Sequence, residues 1–322
     1  MQRILHIVSS CSDGKRGSIA ASLRIGSYRQ AGIDARFRAW WSTITDAEGP
    51  SRSAITASEL YVGDHWAVSR DLPTVAHQQD MVARLWVLSA GYGLVPADTP
   101  LFPYAATFQP RHEDSVSRAT GIAQISEQRA WWKLLASQPC WNGETPRSIS
   151  GLAQRSPEGI ILLIASPSYL LAVEDDLREA LPQFSNGGGL VIVSSAARGL
   201  NPALEKRRVA SNAQLRKLVH GSLLSLHARV ARWLIQTEAE HSFELHAIQT
   251  MVAKASRKLP APTKYDRKPS TDEEVRRFMR DRLYSDPRGS HTRLLREWRN
   301  SGRACEQSRF RSLFFELQEQ MR

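Results

Sequence analysis

Four short apolar runs, at residues 4–9, 81–89, 159–165 and 190–194, are separated by stretches long enough for a helix and its loops. Each run is continuous rather than alternating, which is the pattern of a strand buried on both faces. Strands of that kind joined through helices predict an α/β fold with a mostly parallel sheet flanked by helices. In such a sheet the loops leaving the carboxyl ends of the strands are where ligands are met.

Three of those loops carry residues with chemistry. The first run ends in Ser9-Ser10-Cys11-Ser12-Asp13-Gly14-Lys15, and a helical stretch is expected over residues 19–30. A helix start beside such a loop suits an anion or a polar base edge. The spacing matches neither GxxxxGK[ST] nor GxGxxG, so a nucleoside triphosphate or dinucleotide site is not supported. Lys15 serves a phosphate or is solvated. Asp13, the only acid in the loop, activates a water or is a turn residue beside Gly14. The second loop lies within residues 85–108, where the apolar run breaks at Ser89-Ala90-Gly91-Tyr92-Gly93 and continues rich in proline and aromatics. Gly91 and Gly93 permit a sharp turn or a close approach, and Tyr92, Phe102 and Tyr104 offer flat faces to a planar ligand or cap a core. In the third loop Ser166-Pro167-Ser168-Tyr169 opens an acidic helix at 170–181, so its hydroxyls meet a phosphate or act as a cap.

Between these landmarks, residues 34–41 alternate polar and apolar and predict a second strand at an edge, followed by loop over 42–52. Residues 57–66 crowd Tyr61, Asp64, His65 and Trp66 together, and an acid beside a histidine points to proton transfer or to surface decoration. Residues 109–118 read as polar and mobile, with Arg111, His112 and Glu113 as possible pocket lining. Residues 122–137 predict a helix burying Trp131 and Trp132, and 214–255 a long helical region. The organisation expected is an α/β domain at 1–255, a basic proline-rich linker at 256–270, and an all-helical domain at 271–322 with helices at 271–284, 290–300 and 304–321.

Charge is unevenly placed. Lys plus Arg number 43 against 32 Asp plus Glu, a net of +11 with a pI near 9.9. Residues 251–322 hold 18 basic and 10 acidic residues, so +8 of that excess sits at this end. A polyanionic partner is favoured, DNA first. The last two helices present Arg293, Arg303 and Arg309 on faces left free by Leu294, Leu295, Trp298, Phe310, Leu313 and Phe314. They predict a helix-turn-helix-like DNA contact or a cap with a solvated basic face. Cys11, Cys140 and Cys305 lie far apart, which suggests neither zinc nor a disulfide framework and fits a reducing cytoplasm. No apolar stretch approaches the roughly 18 residues of a membrane span, and no cofactor or metal is implied.

Taken together, SSCSDGK, ASELYVGDHW, LSAGYGLVPADTPLFPY, IASPSYLLAVEDDL and HGSLLSLHARVARWL resemble a bacterial family whose α/β domain is similar to uracil-DNA glycosylases and to the accessory domain of archaeal tRNA-guanine transglycosylases. The likeness spans residues 1–245 and is strongest at LSAGYGL. It implies a DNA glycosylase that hydrolyses the N-glycosidic bond of a modified base, with α-glucosylated hydroxymethylcytosine of phage DNA as the candidate substrate, leaving an abasic site in anti-phage defence. A base-exchanging transglycosylase on DNA or tRNA and a non-catalytic nucleic-acid sensor are the alternatives. The resemblance puts Asp13, with Asp64 and Asp98, among catalytic candidates. Ser9, Cys11, Ser89, Tyr92 and Tyr104 fall to the base, and Lys15, Ser166, Ser168, Arg293, Arg303 and Arg309 to DNA phosphates. Two departures stand out: SCSD replaces a GQDPY-like run, and SPSY replaces a histidine-led HPSP. The Ser166–Tyr169 loop therefore lacks the usual electrophile, and Asp64, His65 and Asp98 are the candidates to take part instead.

Overall fold

The computed structural model describes residues 3–46, 54–139, 145–185, 188–237, 243–260, 266–287 and 289–320. The chain divides into two units, residues 1–260 and 261–322.

The larger unit is built on a six-stranded sheet: β1 Ile4–Ser10, β2 Val82–Ser89, β3 Gly93–Pro96, β4 Ile160–Ile164, β5 Gly189–Ser194 and β6 Arg208–Ala210. Their order is β3-β2-β1-β4-β5-β6, and every neighbouring pair is parallel except the β2–β3 hairpin. The four apolar runs are the four central strands. Every residue of β4 and all but the first of β1 and β5 are buried, so no polar alternation survives there. From β1 the chain builds β2 and β3 to one side, then returns to lay β4, β5 and β6 on the other. The loops after β1 and β4 therefore diverge from adjacent strand ends, the position at which open α/β sheets meet their ligands.

Helices α1 Ile33–Asp46, α2 Asp64–His77, α3 Gly121–Ala136, α4 Pro167–Ala172, α5 Glu174–Ala180, α6 Leu226–Thr237 and α7 Leu245–Lys258 flank the sheet. Helix α2 packs on β1, β2 and α6, and α6 reaches β4 and β5; α1 packs on α3, which touches β3, α4 and α5.

Several expectations are corrected. Residues 34–41 form part of α1 rather than an edge strand. Phe37, Trp40 and Ile44 are buried on one helical stripe, and Arg36 is buried too, its Nη1 donating to Val116 O at 2.7 Å. Arginines at alternate positions imitated a strand. The loop expected at 42–52 is helix as far as Asp46, and 47–52 lie outside the described residues. Residues 19–30 hold two 3-10 turns, Ala21–Leu23 and Ile25–Ser27, instead of a helix. Backbone bonds from Ile25 N to Ala105 O (2.9 Å) and Ala105 N to Leu23 O (2.8 Å) tie that segment to the loop after β3. The acidic helix at 170–181 starts earlier and comes in two pieces, α4 and α5. The long region at 214–255 breaks at His220 and Gly221, both at positive φ (49° and 93°). Residues 114–117 are buried and held by bonds between Thr107 and the 114–116 backbone, so this stretch packs instead of standing free.

The smaller unit comprises α8 Asp272–Ser285, α9 His291–Asn300 and α10 Gln307–Gln320, each close to its expected bounds. Val275, Met279, Leu294, Trp298, Phe310 and Phe314 form its core. Thr271 and Glu274 make a reciprocal capping box that fixes the start of α8. The linker expected at 256–270 is shorter than its composition suggests: α7 runs to Lys258, and Lys268–Pro269 pair in parallel with Arg303–Ala304. Among the described residues no helix is long and apolar enough to cross a membrane, and no group of His, Cys, Asp or Glu is placed to hold a metal ion. Cys11 and Cys305 are free and buried; Cys140 lies outside the described residues.

Candidate active site

Hydroxyl groups floor the carboxyl end of the sheet. At the end of β2, Ser89 Oγ accepts from the backbone N–H groups of Tyr92 (2.9 Å) and Gly91 (3.3 Å). Its own proton is then free for the Tyr104 hydroxyl at 2.7 Å, which lies 3.0 Å from the Tyr61 hydroxyl. Burial pushes both phenols well above their ordinary pKa, so they stay neutral. The LSAGYG segment has a packing reason. A Cβ on Gly91 would stand 2.5 Å from the Tyr104 ring, and Gly93 takes φ +81° to turn into β3. Tyr104 and Tyr92 are only 0% and 2% exposed, and their rings meet edge to face at 5.0 Å. The base-stacking role expected of them does not fit this placement.

A second set lies between the carboxyl ends of β1 and β4. Cys11 Sγ lies 3.2 Å from the hydroxyl of Tyr169, and that hydroxyl lies 3.4 Å from Thr107 Oγ1. The thiol is 7% exposed. Beside Tyr169, the hydroxyls of Ser166 and Ser168 lie 3.1 Å apart, and Ser166 makes no side-chain cap to α4.

Above this floor stands Asp13, its side chain 71% exposed and Oδ1 3.5 Å from His112 Nε2. His112 Nδ1 accepts from the backbone N–H of Asp114 at 3.0 Å. In the neutral ring the proton therefore sits on Nε2, the nitrogen 3.5 Å from the carboxylate. Asp114 is anchored in turn by Arg24 (3.3 Å) and by the N–H of Gly26 (3.2 Å). Lys15 Nζ donates to Asp13 O at 3.1 Å and lies 4.6 Å from the centre of the Tyr104 ring. Burial lowers its pKa, opposed by Cys11, Asp13 and Asp114. No family model matches the chain, and no curated protein matches it. The chemistry of these residues carries the functional reading.

A flanking cluster surrounds Ser9, whose hydroxyl donates to Ser69 at 2.8 Å and lies 3.1 Å from His65 Nε2. Burial lowers the His65 pKa to about 4, so the ring is neutral. Asp64, exposed at the start of α2, accepts from Ser222 and pairs with Arg229 at 3.1 Å. The Ser222 hydrogen bond is the largest cause of its lowered pKa. Its two oxygens are thus occupied by α6 and the loop before it. Asp98 belongs elsewhere. It is exposed in the turn after β3, which runs antiparallel, and Ala97 N bonds to Leu85 O, well below Ser89.

The structure thus gathers Ser9, Cys11, Asp13, Lys15, Ser89, Tyr104, Ser166 and Ser168 at one end of the sheet, with Tyr92 behind Tyr104. Sequence reasoning missed the roles of Tyr61, Thr107 and Tyr169, and placed His112 only as pocket lining. No signal in the sequence marks the approach of His112 to Asp13, which depends on a contact between distant segments. In the smaller unit Arg293 pairs with Asp286 and Glu297, Arg309 pairs with Asp272 at 2.6 Å, and Arg303 lies over the Trp298 ring at 4.7 Å.

Proposed function

We propose that the chain is a DNA glycosylase that hydrolyses the N-glycosidic bond of a modified base, with α-glucosylated hydroxymethylcytosine of phage DNA as the substrate suggested by the sequence resemblance. The observation that carries this reading is the Asp13–His112 pair, which shares the carboxyl ends of the adjacent strands β1 and β4 with the Ser166–Ser168 hydroxyls. A base shielded in the duplex must be extruded, which costs a few kcal/mol. The diverging ends of β1 and β4 are where the sheet gathers polar groups to meet it. Asp13 takes a proton from water as the water oxygen bonds to C1′ and the bond to the base nitrogen breaks. The departing base carries the electron pair away, and an abasic sugar remains. His112 Nε2, 3.5 Å from Asp13 Oδ1, orients the carboxylate. It supplies an imidazole from the loop after β3, in place of the one absent from SPSY.

Ser166, Ser168 and Lys15 serve phosphates flanking the extruded nucleotide, whereas Ser89, Tyr104 and Tyr61 brace the floor. The basic residues 251–322 add sequence-independent affinity, which falls steeply with salt. Such a contribution of the helical unit is compatible with the helix-turn-helix-like reading of its last two helices. The test is base release from glucosylated, hydroxymethylated and plain duplexes. Asp13→Asn should lose about 10²–10⁴-fold in the rate of release while keeping its DNA affinity. A covalent DNA adduct at Asp13 together with incorporation of added free base would replace hydrolysis with base exchange.

A further inference from the structure

The three-helix unit contains a cavity of about 360 Å³ unrelated to the sheet. The short ladder between Lys268–Pro269 and Arg303–Ala304 sets two chain segments side by side just before α8 and α10 begin. Arg267, Ser270 and Arg309 line the cavity from these segments, and Arg299 lines it from the last turn of α9. Each guanidinium is positioned by a backbone carbonyl: Arg267 Nε donates to Arg299 O (3.1 Å), Arg299 Nη2 to Cys305 O (3.0 Å) and Arg309 Nη2 to Ser270 O (3.1 Å). A carbonyl fixes a guanidinium without cancelling its charge.

The nearby acids are already engaged. Asp272 pairs with Arg309, and Glu306 caps α10 by accepting from Arg309 N at 3.1 Å. Among the described residues no carboxylate pairs with Arg299. Burial raises the Cys305 thiol, which stays protonated and adds no competing charge. Ser270 also lines the cavity, is 9% exposed, and its hydroxyl has no hydrogen-bond partner. A buried hydroxyl left unpaired is costly and calls for an acceptor. Among the described residues no aromatic side chain lines the cavity, so none of them would stack a base there.

We propose that this cavity binds one backbone phosphate of a nucleic acid, with Arg299 and Arg267 on its oxygens and the Ser270 hydroxyl donating to another. A polyanion is the natural source, because residues 261–322 carry 15 basic against 10 acidic residues, a net of +5. The contact is independent of sequence and of any base chemistry, so it stands whether or not the chain is a glycosylase.

The test uses the full chain and a fluorescein-labelled duplex without modified bases, read by anisotropy across a salt series. Arg299→Ala should weaken binding about tenfold and lower the salt slope by about 1. Ser270→Ala should weaken it several-fold with the slope unchanged. Arg280→Ala, which removes the same charge from an exposed site on α8, should change affinity less than about threefold. Thermal unfolding checks each variant; should Arg299→Ala fail to fold, Arg299→Lys keeps the slope but loses several-fold in affinity because a lysine cannot present the fork. Inorganic phosphate should raise the melting temperature of the native chain, and raise that of Ser270→Ala less at the same concentration. Equal losses in Arg299→Ala and Arg280→Ala would overturn the proposal in favour of diffuse attraction. Phosphate stabilisation with duplex binding unchanged in both cavity variants would overturn it in favour of a free-anion site.

Discussion

Gly91→Ala isolates the packing that shapes the floor of the site. A Cβ there would stand 2.5 and 2.6 Å from two Tyr104 ring carbons and 3.1 Å from Trp40. Carbon atoms prefer separations of about 3.5–4.0 Å, so the ring must retreat by about 1 Å. It has little freedom to do so. Its hydroxyl is held by Ser89 at 2.7 Å and Tyr61 at 3.0 Å, and its edges meet Trp40 and Tyr92. Overpacking of this kind costs about 1–3 kcal/mol, and contacts to two buried rings put the cost in the upper half. Loss of glycine's freedom in the unfolded chain returns about 0.4–1 kcal/mol. A net loss of about 2 kcal/mol follows, which for a unit of this size lowers Tm by roughly 4–8 °C. Scanning calorimetry of the larger unit's transition reads this directly. Gly189→Ala is the control, since its nearest neighbour would be 4.0 Å away. In a Tyr104→Ala background the Gly91→Ala cost should shrink by at least half. An unchanged Tm, or the same cost in both backgrounds, would refute the ring contact as the reason for glycine at 91.

Further outcomes follow from the same geometry. Tyr104→Phe removes a hydroxyl shared by Ser89 and Tyr61 and should cost about 1–3 kcal/mol in stability, while base release stays within a few-fold of native; a total loss of release would make Tyr104 a base contact after all. His6, His65 and His227 are each lowered from 6.5 to about 4, chiefly by burial. Above pH 6.5 all three are neutral in both states; between 6.5 and 4 the unfolded chain binds their protons first, so stability falls by about 1.4 kcal/mol per pH unit for each, levelling off below pH 4. Denaturant titrations at pH 7 and 5 should differ by up to about 2 kcal/mol per histidine, and His65→Gln should remove one proton's share of the slope; a pH-independent stability over this range would contradict the burial argument. His112→Gln should slow base release without shifting Tm by more than about 2 °C, because the polar partners of its ring among the described residues are Asp13 and one backbone N–H; release at the native rate would separate His112 from the chemistry.

What the sequence makes legible follows from which forces are local. The four central strands announce themselves because burial on both faces erases polar positions. Edge strands β3 and β6 do not, since four and three residues leave too short a pattern. Helix α1 was disguised because Arg36 is buried against a carbonyl, so its arginines marked no solvent face. At the site, residues following a central strand, such as Asp13, Cys11, Ser89 and Ser166, could be placed from strand direction alone. Asp98 could not, because β3 reverses and carries its turn away from the carboxyl ends. The inward orientation of Tyr92 and Tyr104 and the approach of His112 to Asp13 depend on contacts between distant segments, which no local pattern encodes.

The most direct measurement is the base released when purified full chain is incubated with a duplex carrying α-glucosylated hydroxymethylcytosine, quantified by chromatography alongside a plain duplex and the Asp13→Asn variant. The account expects release of the modified base from the first duplex alone, an alkali-labile abasic site in its place, and at least about a hundredfold slower release by the variant. Release that is undiminished in Asp13→Asn, or absent from every modified duplex that the native chain binds, would contradict it.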